Sequence, residues 1–314
     1  MATSGSVDYT CTARNIVDSA FEDLGLLATG DTLTADDLAL GLKKLNILVK
    51  QIQGDADFSQ GIKTWSRKTG YVFLQKDQSK YTLGYGGDKA ATSYVQTVIT
   101  ANAALGASTL TLSSVSGVSS GYSIGLVQND GSVHWTTVNG APAGNVVTLT
   151  AVTTVAADSG AVVFVYSAGI HMPLEILTAS IRDTSSNDTP LVFMDVYSYE
   201  RIGQKYDEST PSRVFYDPKK FTGDLYLDCY PSDTTQVVRI VFLAPIEDLD
   251  SSTDDVDYPQ HFYRYLVSQL GIDLSIPYKV SVSPEMKMIR DEAMAVAKNY
   301  NSETTTDYFQ PGLE

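Results

Sequence analysis

Residues 123–138 read SIGLVQNDGSVHWTTV. Two short runs of strand-favouring residues, Ser123–Val127 and Val133–Val138, flank Asn129–Asp130–Gly131. That trio supplies the backbone conformations a tight hairpin turn requires, so the stretch reads as two antiparallel strands. The same signature extends outward. Tyr94–Ile99, Thr109–Leu112, Val146–Leu149 and Val162–Tyr166 are further short alternating runs, and Gly140, Pro142 and Gly144 mark another turn. From Ala90 to Ile170 there is no Lys, Arg or Glu, and the only acidic residues are Asp130 and Asp158. This abrupt change in composition marks an inserted small all-β domain, a sandwich or a partly open barrel. With almost no charge, it must make any contact through hydroxyls, aromatics and backbone.

The flanks carry a different period. Ile16, Val17, Ala20, Phe21 and Leu24 fall on one face of a helix from about Thr12 to Leu24, which Gly25 can end. Thr34 with Asp37 three positions later is a variant of the capping box. The helix it opens carries Leu38, Leu42, Leu45, Val49 and Ile52, and Gly54 closes it. A third helix follows Pro259 with Phe262, Leu266, Leu270 and Leu274, and Pro277 is expected to stop it. Ser283–Pro284 opens a fourth, with Met286, Ile289, Ala293, Val296 and Ala297 in its stripe. Between the insert and the third helix the pattern is mixed. Pro173 is read as opening a short helix carrying Leu174, Leu177 and Ile181, and Ser198 as capping another. Strands are expected at Leu191–Val196, Arg213–Tyr216, Leu225–Tyr230 and Val237–Leu243. The expected fold class is α+β: a helical bundle built from the N- and C-terminal parts, a central β region and the inserted β domain. The expected divisions are residues 1–89 and 171–298 for a helical and β core, 90–170 for the insert, and 299–314 for an extended C-terminal arm.

The chain has 314 residues, 22 Lys and Arg against 37 Asp and Glu, and a net charge of −15. Such an acidic chain lacks the clustered cations that neutralise phosphates on duplex DNA. Lys63, Arg67 and Lys68 come nearest to a basic patch, and a solvated face explains them equally well. The polar N-terminus has no apolar signal core, and no apolar run approaches the ~20 residues needed to cross a bilayer. The expectation is a protein made in a cytoplasm and soluble until it assembles.

Catalytic patterns are sparse. Cys11 and Cys229 form no CxxC or Cys/His cluster and read as buried or incidental thiols. His134, His171 and His261 share no ligand spacing, and no GxSxG elbow occurs. Gly84–Tyr85–Gly86–Gly87 has neither phosphate-loop spacing nor its Lys, and reads as a turn after the strand at Tyr81–Leu83. Asp248, Asp250, Asp254, Asp255 and Asp257 resemble an oxygen-rich calcium loop. However, Thr253 stands where the EF-hand glycine should be and Pro259 where its glutamate should be, so a solvated acidic loop is the reading. No enzyme, cofactor or metal site is therefore expected.

The order of the landmarks resembles the head-to-tail adaptor proteins of short-tailed bacteriophages, also called tail accessory or packaged-DNA stabilisation proteins. The resemblance runs through Ile16–Gly25, Leu42–Lys43–Lys44–Leu45–Asn46, Trp65 and Tyr81–Thr82–Leu83–Gly84. It continues in Pro190–Leu191, Tyr199, Pro211, Tyr216, Leu225–Tyr226, Tyr230–Pro231 and Asp257–Tyr258–Pro259. About three-quarters of the chain is covered. The β insert departs from the smallest members and looks like the extra module of larger ones. The resemblance implies a virion structural protein without catalytic residues, found in the neck or tail of the particle. It implies a homo-oligomeric ring, dodecameric in the family, between the portal protein and the tail nozzle or tail hub. Such a ring helps retain packaged DNA, enclosing it without specific binding, and has no membrane partner. A tail-associated receptor-binding protein and a cell-wall hydrolase remain the alternatives.

After Asn299 the helical pattern stops, and Thr304–Thr305–Thr306 resist helix by β-branching. Tyr300, Tyr308 and Phe309 are large aromatics in this polar stretch, which carries Pro311 near its end. They are read as protein-interface residues of a docking arm. The charge balance predicts no appreciable duplex DNA affinity at physiological salt. Fluorescence anisotropy with a labelled duplex checks this, and tight binding that weakens steeply with added salt would contradict it.

Overall fold

A computed structural model describes residues 5–6, 8–28, 30–54 and 65–300. The chain forms two compact units. One combines residues 1–66 with 246–314, and the other spans Arg67–Pro245. These divisions fall at different places from the composition boundaries at 89/90 and 170/171.

Among its described residues, the first unit is built on four α-helices. Helix α1 (Ala13–Asp23) starts at Thr12, whose hydroxyl accepts a hydrogen bond from Asn15 N–H. Its first free N–H groups are met by the acidic loop: Ala13 N–H donates to Asp254 O and Arg14 N–H to Ser252 O. Helix α2 (Ala35–Gly54) begins with the expected Thr34–Asp37 interaction, in which Thr34 Oγ1 accepts from Asp37 N–H at 3.2 Å. The 3-10 turn Gln260–Phe262 leads into a third helix, Tyr263–Tyr278, which contains Pro277 and ends in left-handed Lys279. The proline therefore does not stop the helix where it stands. Ser283 Oγ caps the fourth helix, Pro284–Tyr300, by accepting from Met286 N–H. The apolar stripes bury one another: Ile16, Phe21, Leu45, Val49, Phe262, Leu266, Leu270 and Leu274 lie in one core.

Loop and helix are pinned by side chains from the resemblance landmarks. Asn46 Nδ2 donates to Leu249 O, and Leu249 N–H donates back to Asn46 Oδ1, both at 2.9 Å. Tyr258 OH donates to Val49 O, and Trp65 packs its ring on Tyr258 and Phe262.

The second unit is β throughout apart from one short helix, α3 (Val196–Glu200); the third and fourth helices of the first unit are α4 (Tyr263–Tyr278) and α5 (Pro284–Tyr300). A first sheet orders its strands Asp188–Pro190, Glu175–Arg182, Val237–Leu243, Arg67–Phe73, Ala90–Ala91. A second sheet orders them Val192–Phe193, Arg213–Pro218, Thr222–Leu227, Lys80–Gly84. Val72, Ile240 and Phe242 from the first and Tyr81, Val214 and Leu225 from the second share one apolar core. Residues 90–170 contribute another sheet, ordered Val95–Val98, Val162–Tyr166, Ser123–Val127, Val133–Thr137, and the pair Thr109–Thr111 with Val146–Thr148. Bridges Val138↔Leu149 and Ile99↔Leu112 join the pair to both edges of that sheet. The six strands thus close round a core containing Leu112, Ile124, Leu126, Val163 and Val165.

The α+β expectation, organised about a helical bundle from the two ends, is corrected. The chain is mostly β, with 30% strand against 25% helix, and its strands are divided among several separate sheets. Long helices dominate a reading by periodicity because 11–20 residues repeat the signal, whereas strands of two to eight residues repeat it only once or twice. The stretch after Pro173 shows this directly. Leu174, Leu177 and Ile181 suggest a helix by spacing, but Glu175–Arg182 is a strand with a bulge between Ile176 and Thr178. The extra residue shifts the inward set to Ile176, Ala179 and Ile181, and leaves Leu177 exposed. The short helix after it is capped by Asp195, not Ser198; Asp195 Oδ1 accepts from Ser198 N–H at 2.6 Å.

The insert is not isolated within its unit. Alternate residues of Val162–Tyr166 face opposite ways: Val163 and Val165 fill its own core, while Phe164 and Tyr166 meet Phe73 and Val237 of the first sheet. Phe73 is in ring contact with Tyr94, Trp135, Phe164 and Tyr166, at centroid distances of 5.0–5.5 Å. Thr234 Oγ1 donates to Gly131 O and Lys76 Nζ to Asp130 O, holding the hairpin turn. Gly125 stands opposite Trp135, and a methyl group there would come within 2.7 Å of the indole.

Phe73→Ala is expected to cost about 3–5 kcal/mol, because four rings would lose a shared contact and the cavity cannot collapse between two sheets. Urea denaturation followed by tryptophan fluorescence measures it. A loss below ~1 kcal/mol would show that the aromatic cluster does not join the insert to the first sheet.

Candidate interaction surface

The groups singled out as chemical candidates do not converge. His134 sits on Val133–Thr137, His171 in the segment before Pro173, and His261 in the 3-10 turn. Cys11 and Cys229 are both buried free thiols, and burial pushes the Cys229 thiol up to about 11. Among the described residues no group of three or more His, Cys, Asp or Glu could hold a metal ion. The acidic loop spends its oxygens locally: Asp248 pairs with Lys50 at 2.7 Å, and Asp254 Oδ2 accepts from Ser251 N–H at 2.7 Å. A cleft of about 320 Å³ runs between Gly84–Ala90 and Tyr166–His171. Its walls combine Gly84, Gly86, Gly87 and Gly169 with Asp88, Lys89, Ser123, Ser167 and His171.

Of the four proposed arm residues, Tyr300 is the last residue of α5, and Asn299 is also helical. The arm therefore does not begin at 299. Tyr308, Phe309 and Pro311 lie outside the described residues, as does Lys63. Arg67 and Lys68 open the exposed end of strand Arg67–Phe73.

The second sheet carries the features that single-residue motifs did not reveal. Its inner face fills the core, so its other face must be held by other means. Asp224 is only 2% exposed, and Lys80, Lys219 and Thr82 Oγ1 all bond its carboxylate. Burial by itself would raise this carboxyl; hydrogen bonds from Lys219, Lys80 and Thr82 outweigh it and bring the group to about 2. Lys80 also lies 5.6 Å over the Tyr226 ring, opposite which it is paired in the ladder. Tyr226, Phe215 and Tyr199 stack in turn, and Lys205 caps Tyr199 at 4.1 Å.

Large apolar side chains are left exposed at two corners of this sheet. One corner is its edge strand and the helix that follows, with Val192, Phe193, Val196 and Tyr197 exposed, Tyr197 by 79%. Tyr206 is exposed a few residues further on. The other corner joins two adjacent turns. Tyr85 is 98% exposed in the glycine turn after Lys80–Gly84, and Phe221 is 75% exposed in the turn before Thr222–Leu227. Thr222 pairs with Gly84, which brings these two turns together. Gly84 and Gly86 have φ of +119° and +72°, a backbone that few side chains other than glycine's tolerate. Monomers seldom leave such aromatics bare unless something covers them. A signal was available in the sequence: Gly-Tyr-Gly-Gly and Lys-Lys-Phe place an aromatic at a turn centre, where no core lies beneath.

Comparison with protein-family models and with curated proteins finds no match to this chain.

Asp224→Asn is expected to destabilise the protein by about 2 kcal/mol at pH 7, since two lysines lose a charged partner. The folded carboxyl titrates below its ordinary 3.8. Its contribution is therefore full above about pH 4 and is lost as the pH falls through about 2. The variant's stability should fall less steeply than the wild type's over that interval. Parallel urea-denaturation profiles for the two proteins from pH 5 to 2 would show that Asp224 is not the group responsible.

Proposed function

We propose that this chain is a non-enzymatic structural protein of a bacteriophage particle, an adaptor subunit that forms a ring between the portal and the tail. The observation that carries the reading is the pair of exposed aromatic corners on one sheet, which suits a protein whose surface is completed by other subunits. The ordered landmarks from Ile16 to Pro259 name the class of assembly. Several of these landmarks do packing work: Asn46 and Tyr258 fix loop to helix, and Tyr81 OH donates to Gln78 O inside the β unit. Residues used this way support a structural rather than a catalytic reading.

The charge distribution fits the same role. The unit made from the chain's two ends holds 10 Lys and Arg against 22 Asp and Glu, a net of −12, whereas Arg67–Pro245 holds 12 against 15, a net of −3. Strong like charge keeps subunits apart in solution until a specific contact overcomes it. In this reading, residues 301–314, with Tyr308 and Phe309, form the arm that docks on the portal or on a neighbouring subunit, and the ring encloses DNA without gripping it.

Purified chain mixed with portal-bearing heads should co-sediment with them at a fixed ratio of copies per portal. Removing residues 303–314 should weaken that attachment at least tenfold while shifting the melting temperature by no more than a degree or two. Failure of the full chain to bind portal-bearing heads, or clearing of a cell-wall zymogram by the pure protein, would refute the reading.

A further inference from the structure

The two exposed corners lie on the same sheet but on different edges. Strand Val192–Phe193 is one outer strand and Lys80–Gly84 is the other. Val192 and Phe193 pair with the start of Arg213–Pro218, at Arg213 and Val214. Phe221 lies in the turn just beyond the other end of that same strand. The corners are therefore diagonal across the sheet, separated by three strand spacings of ~4.8 Å one way and by a six-residue strand the other. Neither can cover the other within one molecule.

We infer that successive copies of this chain join head to tail through these corners, Tyr85 and Phe221 of one copy seating on Phe193, Val196 and Tyr197 of the next. The inference rests on the ring reading above and names the surfaces that would close it. Three observations support a second copy as the occupant. First, the two corners are different patches of one molecule, so a contact between them is heterologous and repeats from copy to copy, as a ring requires. Second, the corners have opposite charge. Residues 192–209 hold Asp195, Glu200, Asp207 and Glu208 against Arg201 and Lys205, a net of −2. Residues 84–89 and 217–222 hold Lys89, Lys219 and Lys220 against Asp88 and Asp217, a net of +1 in a chain of −15. Facing surfaces of opposite sign steer approach and fix register. Third, the area is substantial. Phe193, Tyr197 and Tyr206 are 42%, 79% and 72% exposed; at ~150–250 Å² for a whole ring, their exposed parts give about half of the ~800 Å² a standard interface takes from each partner. The glycine turn presents Tyr85 as a projecting ring held by a short backbone, which is the form an anchor residue takes.

Thiol cross-linking tests this on the full chain. Tyr85→Cys and Tyr197→Cys replace exposed side chains, and the native Cys11 and Cys229 are buried. A short bismaleimide should convert the double variant, assembled on portal-bearing heads, into a ladder of covalent oligomers. Each single variant alone should stay monomeric on a denaturing gel, and an equal mixture of the two should stop at dimers. Dimers from either single variant alone would mean that like corners meet, and would overturn the inference. So would a double variant that sediments as a ring yet cross-links no more than the wild type; the ring reading would then stand with other surfaces closing it. If neither wild type nor variant rises above monomer mass, free or with portal-bearing heads, the ring reading itself fails and takes this contact with it.

Discussion

The ring of Phe73 lies between two β layers that no hydrogen-bonded ladder joins. The C-terminal end of its strand, Arg67–Phe73, is buried on both faces. Val72 faces the sandwich core, and Phe73 faces the insert. Four aromatic partners from residues 94–166 converge on that one ring. A shared aromatic contact suits a segment that has almost no charge with which to fix its position. Aromatic rings add a preferred geometry to the area they bury, so they can hold orientation as well as proximity. Trp135 reaches the site only because Gly125 leaves room across the strand pair. The insert is in this sense a domain with two cores, one of its own and one it shares.

Polar side chains do comparable work where backbone ladders stop. Asn46 presents its amide to Leu249 as a neighbouring strand would, donating to the carbonyl and accepting from the N–H. The acidic loop in turn lends its carbonyls to the first N–H groups of α1. Asp224 is the corresponding device in the β unit, a buried carboxylate made tolerable by two lysines and a threonine. Each device ties together segments far apart in the chain.

Most of the net charge belongs to the unit made from the chain's ends, and the two aromatic corners belong to the nearly neutral unit. A contact between proteins is least opposed by repulsion where net charge is small.

The sequence by itself determined the local elements whose signals are local. Helix starts at Thr12, Thr34 and Ser283 were legible because a capping side chain acts within three residues. The strands Ser123–Val127 and Val133–Thr137 and their hairpin turn were legible because alternation and turn chemistry are short-range. The balance of the fold was not. The bulge at Ile176–Thr178 changed a strand's period into something that resembles a helix, and strands of two residues such as Glu208–Ser209 exist only because a partner strand pairs with them. The candidate interaction surface was hidden for a related reason. Whether Tyr85, Tyr197 or Phe221 is core or surface depends on what the rest of the chain places over it, and only the tertiary structure leaves those rings uncovered.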